Sequence, residues 1–243
     1  MKKTIMIILI GLFSCMTAFA LDGNEILKQV DGNLNPETFE MYRKLLNIEP
    51  DGTKKEFVMF SVKKDKDKIA SVFLSPASEK GRSTLRIGDN MWLYIPKVGK
   101  PIRITSLQSV TGGIFNNSDI MRLDYSTEYN CDKIETTYNG YTLYLKAKNN
   151  NIAYETVTMF IDSEKLLPNK IECYAASGML IKTLYFKKIK DFGNGVVRPS
   201  IIETDSPLYK GYKSYIVFAK VKTRELANEI FSLNYMHKID DLR

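Results

Sequence analysis

Few residues of this chain could perform acid–base or nucleophilic chemistry. His237 is the only imidazole among the 243 residues, so a serine or cysteine nucleophile would have to use it as its base. The sequence lacks the glycine-flanked serine, the helical zinc-protease motif, the P-loop and the dinucleotide-binding glycine pattern. The pair Asp240-Asp241 lies at the chain end, away from any apolar wall. We therefore expect no enzymatic activity.

Metal ligands are equally scarce. One His and three Cys exclude most centres built from these residues. The segment Asp31-Gly32-Asn33-Leu34-Asn35 imitates the start of a calcium-binding loop. However, Pro36 stands where that loop needs glycine, and Tyr42 stands where it needs glutamate. We expect neither a metal ion nor another cofactor.

Apolar and aromatic side chains are the remaining candidates for a functional role. Several strand-like runs are apolar on both faces, such as Val58-Met59-Phe60 and Val72-Phe73-Leu74. A sheet that covers one core needs only one apolar face, so a second apolar contact is implied. That contact is either a cavity for an apolar ligand or a larger packed core, and composition favours neither. Alternation and side-chain size give a candidate lipid-binding lining of Phe57, Met59, Phe73, Trp92, Tyr94, Phe115, Phe160 and Phe218.

The first twenty residues have the pattern of an export signal. A positively charged start precedes an apolar run that is shorter than a membrane-spanning helix. Ala18-Phe19-Ala20 then places small residues where signal peptidase recognises them. We predict that residues 1–20 are a signal peptide and that residues 21–243 form one exported domain. The alternative is lipidation of Cys15, because Leu12-Phe13-Ser14-Cys15 resembles a loose lipobox, and this would anchor the protein to a membrane.

Two cysteines, Cys131 and Cys173, remain after residue 20. An oxidising compartment permits a disulfide between them, and the alternative is two buried thiols. The separation of their Cα atoms decides between these outcomes.

Helical spacing of apolar residues occurs in three segments. The first runs from Asp22, a suitable N-cap, to Leu34, and the second runs from Pro36 to Leu46. The third covers residues 224–231, and a last strand containing His237 is predicted over residues 233–239.

Between these segments the chain has short, evenly spaced strand-like runs. Gly88-Asp89-Asn90 and Asn139-Gly140 predict tight hairpins, and the charged run Lys63–Lys68 predicts a solvated turn. No linker divides the chain. We predict a mainly β, α+β domain, as one curved antiparallel sheet or open barrel. The predicted strands cover residues 56–62, 69–74, 85–87, 91–95, 102–104, 129–138, 141–148, 154–162, 170–175, 179–188, 196–204 and 212–222.

The formal net charge of +7 arises from lysine spread along the chain. No recognisable nucleic-acid-binding module accompanies it, so we expect no nucleic-acid partner. Contact with anionic lipid headgroups and ordinary solubility both explain a mildly basic surface.

Four segments carry a resemblance to a known family. They are Gly88–Lys97, Arg103-Ile104, Gly112–Phe115 with Ser118-Asp119, and Thr156–Lys188. Together they resemble the bacterial outer-membrane lipoprotein-sorting family, the LolA/LolB-like periplasmic lipoprotein carriers. The resemblance extends over nearly all of the chain after residue 20. It departs from the family pattern at Asn117-Ser118-Asp119-Ile120, a segment that belongs to the lid.

The resemblance implies an unclosed antiparallel β-barrel, or half-barrel, with a helical lid over a concave apolar interior. It implies a periplasmic carrier or chaperone that binds lipoprotein acyl chains or lipid, for sorting to the outer membrane between donor and acceptor proteins of the envelope. Arg103 is the nearest candidate for an inner arginine that latches the lid. Acyl chains would be held by burial alone, at about 0.8 kcal/mol per methylene, without catalytic residues. The alternative is a non-enzymatic β-rich envelope scaffold protein with a packed core and no ligand.

Overall fold

The helices and strands described here come from a computed structural model that describes residues 22–243. Helix α1 (Gly23–Leu34) precedes strands β1 (Phe39–Ile48), β2 (Lys54–Lys64), β3 (Lys68–Ser75), β4 (Ser83–Ile87), β5 (Asn90–Tyr94) and β6 (Pro101–Ile104). Two short helices follow, α2 (Asn117–Ile120) and α3 (Tyr125–Glu128). The second group of strands is β7 (Tyr129–Thr137), β8 (Gly140–Ala147), β9 (Thr156–Asp162), β10 (Pro168–Tyr174), β11 (Leu180–Asp191), β12 (Val197–Asp205) and β13 (Lys213–Thr223). The chain ends in two 3-10 helices, Asn228–Ile230 and Leu233–Leu242.

All thirteen strands form one antiparallel sheet in the order β6-β5-β4-β3-β2-β1-β13-β12-β11-β10-β9-β8-β7. Strands β1 and β13 pair at its centre, with Leu45 opposite Ile216. Strands β6 and β7 are the two edges, so the sheet does not close. Residues 105–128 run from one edge to the other and carry α2 and α3. We call residues 105–128 the lid segment.

The main core lies between one face of the sheet, here the inner face, and a cover made of α1 and the lid segment. Helix α1 buries Ile26, Leu27 and Val30 on one side. As predicted, Asp22 caps this helix, and its side chain accepts a hydrogen bond from Asn24 N at 2.9 Å. The same cluster contains inner-face residues from both halves of the sheet and from the lid segment. One apolar core therefore fills the concavity, and the predicted fold class, an unclosed barrel with a helical lid, is confirmed.

The opposite, outer face is covered only in part. The C-terminal 3-10 helices lie on β2–β5 and bury Met236 and Ile239 in a second cluster. Ser83 Oγ donates a hydrogen bond of 2.7 Å to Met236 O, which fixes this contact. Strands in this half of the sheet are therefore apolar on both faces because each face has its own cover.

The turns predicted at 63–68, 88–90 and 139–140 are confirmed, and they join β2 to β3, β4 to β5 and β7 to β8. The prediction that the charges at 63–68 are solvated is wrong for Lys63, whose side chain is 1% exposed and pairs with Asp124. Gly140 has φ +154°, and a Cβ on this residue would lie 1.8 Å from Ile161 O of the adjacent strand. Only glycine fits there, because the backbone of β9 approaches so closely.

Three predicted elements are wrong. Residues 36–46 contain no helix but most of β1, whose inner face includes the polar residues Arg43 and Asn47. These polar residues break the apolar alternation of a strand and leave apolar residues at helical spacing. Residues 224–231 form only a short 3-10 turn, and the predicted last strand is the second 3-10 helix.

Cys131 and Cys173, the two cysteines among residues 22–243, are free. Cys173 pairs with Val157, Val157 with Leu145, and Leu145 with Cys131, so the two cysteines lie three strands apart in one row. Three strand spacings amount to about 14 Å, far beyond the roughly 4–7 Å between Cα atoms that a disulfide requires. The disulfide is therefore excluded, and the alternative of two buried thiols is right for Cys173 but wrong for Cys131, which is only half-buried. The predicted signal peptide and Cys15 lie outside the described residues.

Candidate functional site

The lid segment is fastened to the centre of the sheet by Asn47 of β1. Its Nδ2 donates to Thr111 O at 3.2 Å and to Gly112 O at 3.0 Å. Ser214 Oγ of β13 donates to Asn47 Oδ1 at 2.7 Å and accepts from Ile114 N at 3.1 Å. These bonds give partners to the backbone groups of the buried residues Thr111 and Ile114, and they also hold the carbonyl of the exposed Gly112 to β1.

Gly113 is required by this contact. Its φ is +74°, and a Cβ would lie 2.3 Å from Asn47 Oδ1. Both the left-handed backbone and the lack of space exclude a larger residue without local rearrangement.

A second fastening centres on Asp119, at the start of α2. Asn116 and Asp119 form a capping box, in which each side chain accepts from the backbone N–H of the other. The carboxylate also accepts from Lys182 Nζ of β11 at 2.8 Å and from Tyr154 OH at 2.9 Å. Burial would raise the pKa of this carboxyl, but the positive charges of Lys182 and Arg122 outweigh burial and hold the pKa below its usual value. Asp119 is therefore a buried anion that joins the lid segment to the sheet.

Two further buried ion pairs join the lid segment to the other half of the sheet. Glu128 of α3 pairs with Arg86 of β4, and both side chains are 2% exposed. Arg122 Nη1 approaches the same carboxylate at 2.5 Å. Lys63 Nζ of β2 lies 2.9 Å from Asp124 Oδ1. The lid segment is thus attached to β2, β4 and β11 through charges that lie beneath it.

Helix α1 is tied to α3 by Asp31. Its two carboxylate oxygens accept from Tyr125 N and Ser126 N, each at 2.8 Å. Burial, together with the charge of Asp124, raises the pKa of Asp31 to about 6. This carboxyl therefore takes up a proton in the mildly acidic range while it connects two parts of the cover.

A cavity of about 60 Å³ lies between α1, the lid segment and strands β1 and β11–β13. It is far smaller than the ~300–1,000 Å³ of typical small-molecule sites. Most of its wall is apolar, and three arginines, Arg43, Arg122 and Arg198, also line it, together with the carboxylates of Asp31 and Asp119. The apolar wall consists of Leu34, Phe39, Met41, Phe115, Leu123, Leu184, Phe186, Ile202, Ile216 and Phe218.

The predicted lining divides between the two faces of the sheet. Phe115 and Phe218 line the cavity. Phe57, Met59 and Phe73 do not reach it but belong to the same inner core, where they are buried.

The remaining three predicted residues lie on the outer face. Trp92 and Tyr94 pack against the cluster beneath the C-terminal 3-10 helices. Phe160 is half-buried on β9, with Lys170 Nζ 4.0 Å from its ring centroid. Six of the eight predicted residues therefore do not line this cavity. Three of the six lie on the outer face, because both faces carry large apolar residues and size did not distinguish them.

Other sequence candidates lie away from the cavity. Arg103 is exposed on the edge strand β6 and donates to the Asn90 side chain, so it does not latch the lid segment. His237 lies in the last 3-10 helix, with its ring centroid 6.4 Å from that of Tyr94 on the outer face.

Within residues 22–243, no group of three or more His, Cys, Asp or Glu side chains could hold a metal ion. No helix in that part of the chain has the length and apolar content to cross a membrane.

Sequence reasoning missed the polar residues of the inner face. Asn47, Arg43, Lys182 and Arg198 each occupy an inward position on a strand. Their signal in the sequence was a polar residue at a position where alternation calls for an apolar one.

A protein-family model, described as that of an uncharacterized protein, matches residues 65–238, which is more than half of the chain. No curated protein matches the chain in sequence.

Solved structures share the whole fold. A LolA superfamily protein from Nitrosomonas europaea has a TM-score of 0.80 and 25% identity, over 89% of this chain and 100% of that one. A domain described as that of an outer membrane lipoprotein-sorting protein from Vibrio parahaemolyticus has a TM-score of 0.73 and 18% identity, over 88% and 98% of the two chains. A DUF1329 family protein from Desulfovibrio piger has a TM-score of 0.74 and 18% identity, over 88% and 97%. The chain therefore belongs to the matched family, and its fold is that of the LolA-like proteins.

Proposed function

We propose that this protein is a periplasmic carrier or chaperone that binds lipid or lipoprotein acyl chains beneath the lid segment. The observation that carries the proposal is the construction of the cover. An apolar wall faces an apolar sheet, and a few buried polar contacts hold the two together. Such a cover can detach as a unit and expose apolar surface on both sides.

The closed cavity is too small for an acyl chain, so binding requires opening. On opening, Phe115, Ile120 and Leu123 of the lid segment would exchange contacts with the sheet for contacts with the ligand. About twelve buried methylene groups would contribute about 10 kcal/mol. That is comparable to the cost of breaking two or three buried ion pairs, at about 3–5 kcal/mol each, and three such pairs join the lid segment to the sheet.

This function needs no catalytic residue, and we propose none. Export to the periplasm rests on the sequence of residues 1–20, with anchoring through Cys15 as the alternative. Delivery to the outer membrane would further require donor and acceptor partners in the envelope.

The small cavity favours one alternative function. A core that is filled in the absence of ligand suits an envelope scaffold protein whose sheet edges or surface bind other proteins. The two functions differ in what a weakened lid segment does, because only a carrier gains access to a ligand site when it opens.

Uptake of a fluorescent long-chain fatty acid tests the proposal. We expect binding by the wild type, and faster binding by Asp119→Asn, which weakens the bond between the lid segment and β11. Glu203→Gln is the matched control, because it removes a carboxylate from an exposed ion pair with Lys187 on the outer face. If neither the wild type nor Asp119→Asn takes up the probe while both are folded, the carrier function is wrong and the scaffold function replaces it.

A further inference from the structure

Five cationic side chains are buried in the part of the chain that the structure describes: Arg43, Lys63, Arg86, Lys182 and Arg198. Three of them have a carboxylate partner, namely Asp124 for Lys63, Glu128 for Arg86 and Asp119 for Lys182. Arg43 and Arg198 form no ion pair with any of the described residues.

The hydrogen bonds of these two arginines are few and go to neutral groups. Arg43 Nη2 donates to Ser71 Oγ at 3.4 Å, and its Nε is buried without a partner among residues 22–243. Arg198 Nη1 donates to Asn35 Oδ1, and its Nε makes a long bond of 3.4 Å to Pro199 O. Each guanidinium has five N–H donors, so most of this donor capacity is unused.

Both arginines line the cavity, and Phe218 connects them. Arg43 pairs with Phe218 across β1 and β13, and the guanidinium carbon of Arg198 lies 4.2 Å from the Phe218 ring centroid. Asp31 also lines the cavity, but both of its oxygens accept backbone N–H groups of the lid segment. Asp119 and Arg122 line it too, but Asp119 is already paired with Arg122 and Lys182. Around Arg43 and Arg198 the cavity therefore has a positive region in which neither guanidinium has a counter-ion, and most of the remaining wall is apolar.

Burying two cations of like charge without an anion is unfavourable. Burial lowers the pKa of Arg43 to about 10. Burial and the nearby charge of Arg43 lower the pKa of Arg198 to about 9. Both groups still carry their charge at neutral pH, and an oxyanion would satisfy them. The planar guanidinium fork matches a carboxylate or phosphate with two parallel hydrogen bonds.

We infer that Arg43 and Arg198 bind the oxyanion head of an amphiphile whose hydrocarbon chain lies against the apolar wall of the cavity. This inference rests on the proposed carrier function and specifies its ligand class, a lipid with a carboxylate or phosphate head. An uncharged lipid would leave both guanidinium groups without a counter-ion. The head group is thus recognised by charge, and the chain is recognised by burial.

The test compares four probes by calorimetry: palmitate, hexadecyl phosphate, hexadecanol and inorganic phosphate. The first three share a chain length and differ in the head, so their comparison isolates the oxyanion. We expect palmitate or hexadecyl phosphate to bind at least tenfold more tightly than hexadecanol. Whichever of the two binds more tightly identifies the head as carboxylate or phosphate. Arg43→Gln and Arg198→Gln should each remove most of this preference. The matched control is Arg103→Gln, an exposed arginine on β6 that should keep the preference.

The outcomes separate this inference from the proposed function. Binding of hexadecanol as tight as that of both palmitate and hexadecyl phosphate would overturn the oxyanion site and leave the carrier function intact. Absence of binding by all three chain-bearing probes would contradict the carrier function itself. Binding of inorganic phosphate as tight as that of hexadecyl phosphate would identify a free-anion site and overturn the amphiphile assignment.

A second variant measures the role of Arg43 without any ligand. Arg43→Met replaces an unpaired buried charge by an apolar side chain of similar length, so the ligand-free protein should melt at the same or a higher temperature. A clearly lower melting temperature would show that Arg43 supports the fold, and would overturn its assignment to the ligand.

Discussion

Replacement of Asp119 by Asn should loosen the lid segment while the sheet stays folded. The carboxylate is 1% exposed and lies 2.8 Å from Lys182 Nζ, whose side chain is 3% exposed. Asparagine keeps the size of the side chain and one oxygen acceptor but removes the negative charge. Lys182 then remains buried with Ile114 O as its other acceptor.

The magnitude follows from the burial of both partners. Breaking a buried pair by neutralising one partner costs about 3–5 kcal/mol, because the remaining charge is left uncompensated. Asparagine still offers a neutral oxygen, so we expect about 3 kcal/mol. If this loss of free energy shifts the equilibrium between the closed and the open lid segment, the fraction of molecules with an open lid segment rises by roughly a hundredfold.

Hydrogen exchange of backbone amides measures this opening directly. In the closed state Asn117 N donates to Gln108 O at 2.7 Å, and Ser118 N donates to Ser106 O at 3.0 Å. These two amides should exchange about a hundredfold faster in Asp119→Asn, while amides of β1 and β13 keep their protection.

Glu203→Gln is the control for this experiment as well. Its exposed pair with Lys187 should be worth less than about 1 kcal/mol, so exchange should remain as in the wild type. Unchanged exchange of the lid segment in Asp119→Asn would refute the role of the buried pair. Equal acceleration across the whole sheet would show that the lid segment does not open independently.

Three further predictions concern single side chains. The pKa of Asp31 is raised to about 6, above its value of 3.8 in the unfolded chain, so this group stabilises the fold below pH 4 and loses that contribution as pH rises through 6. Between pH 5 and pH 7, the free energy of unfolding measured in urea should therefore fall by about 1 kcal/mol more in the wild type than in Asp31→Asn. If the free energies of the two proteins changed with pH in parallel, the raised pKa of Asp31 would be contradicted. Phe73→Asp buries a carboxylate in the inner core and should prevent folding, whereas Phe160→Asp on the outer face should fold with a circular dichroism spectrum like that of the wild type. Reversed outcomes would mean that the two faces are assigned the wrong way round. Gly113→Ala should lower the melting temperature through its clash with Asn47 and its strained backbone, by about 1–3 kcal/mol of stability, and an unchanged melting temperature would show that the loop adjusts freely.

The sheet was predictable because its turns carry strong local signals. Asn139-Gly140 and the charged run at 63–68 fix where strands end, and apolar runs of even spacing lie between them. Regular antiparallel pairing of neighbours then follows from short connections. These features depend on local sequence and do not require knowledge of distant contacts.

The site was less predictable because its residues contradict the local pattern. Arg43 and Asn47 lie on the inner face of β1 and made that strand resemble a helix. Their positions make sense only once the lid segment, more than sixty residues later in the chain, is seen to contact Asn47. Polar residues that break the pattern of a strand marked the functional region, as expected where function competes with folding.

The face of the sheet on which an aromatic residue lies also depends on distant parts of the chain. Trp92 and Tyr94 lie on the outer face because the C-terminal 3-10 helices cover β2–β5 there. In the second of these helices, Met236 and Ile239 are three residues apart and so share one side of a 3-10 helix. The sequence pattern of the same residues predicts a strand, which leaves the outer face without a predicted cover.

Native mass spectrometry of the protein purified from its own cell envelope tests the central claim most directly. We expect a population whose mass exceeds that of the polypeptide by one lipid, and we expect fragmentation to release an acyl chain with a carboxylate or phosphate head. A population with only the polypeptide mass, from protein that also takes up no fatty acid when Asp119 is replaced by Asn, would contradict the carrier function.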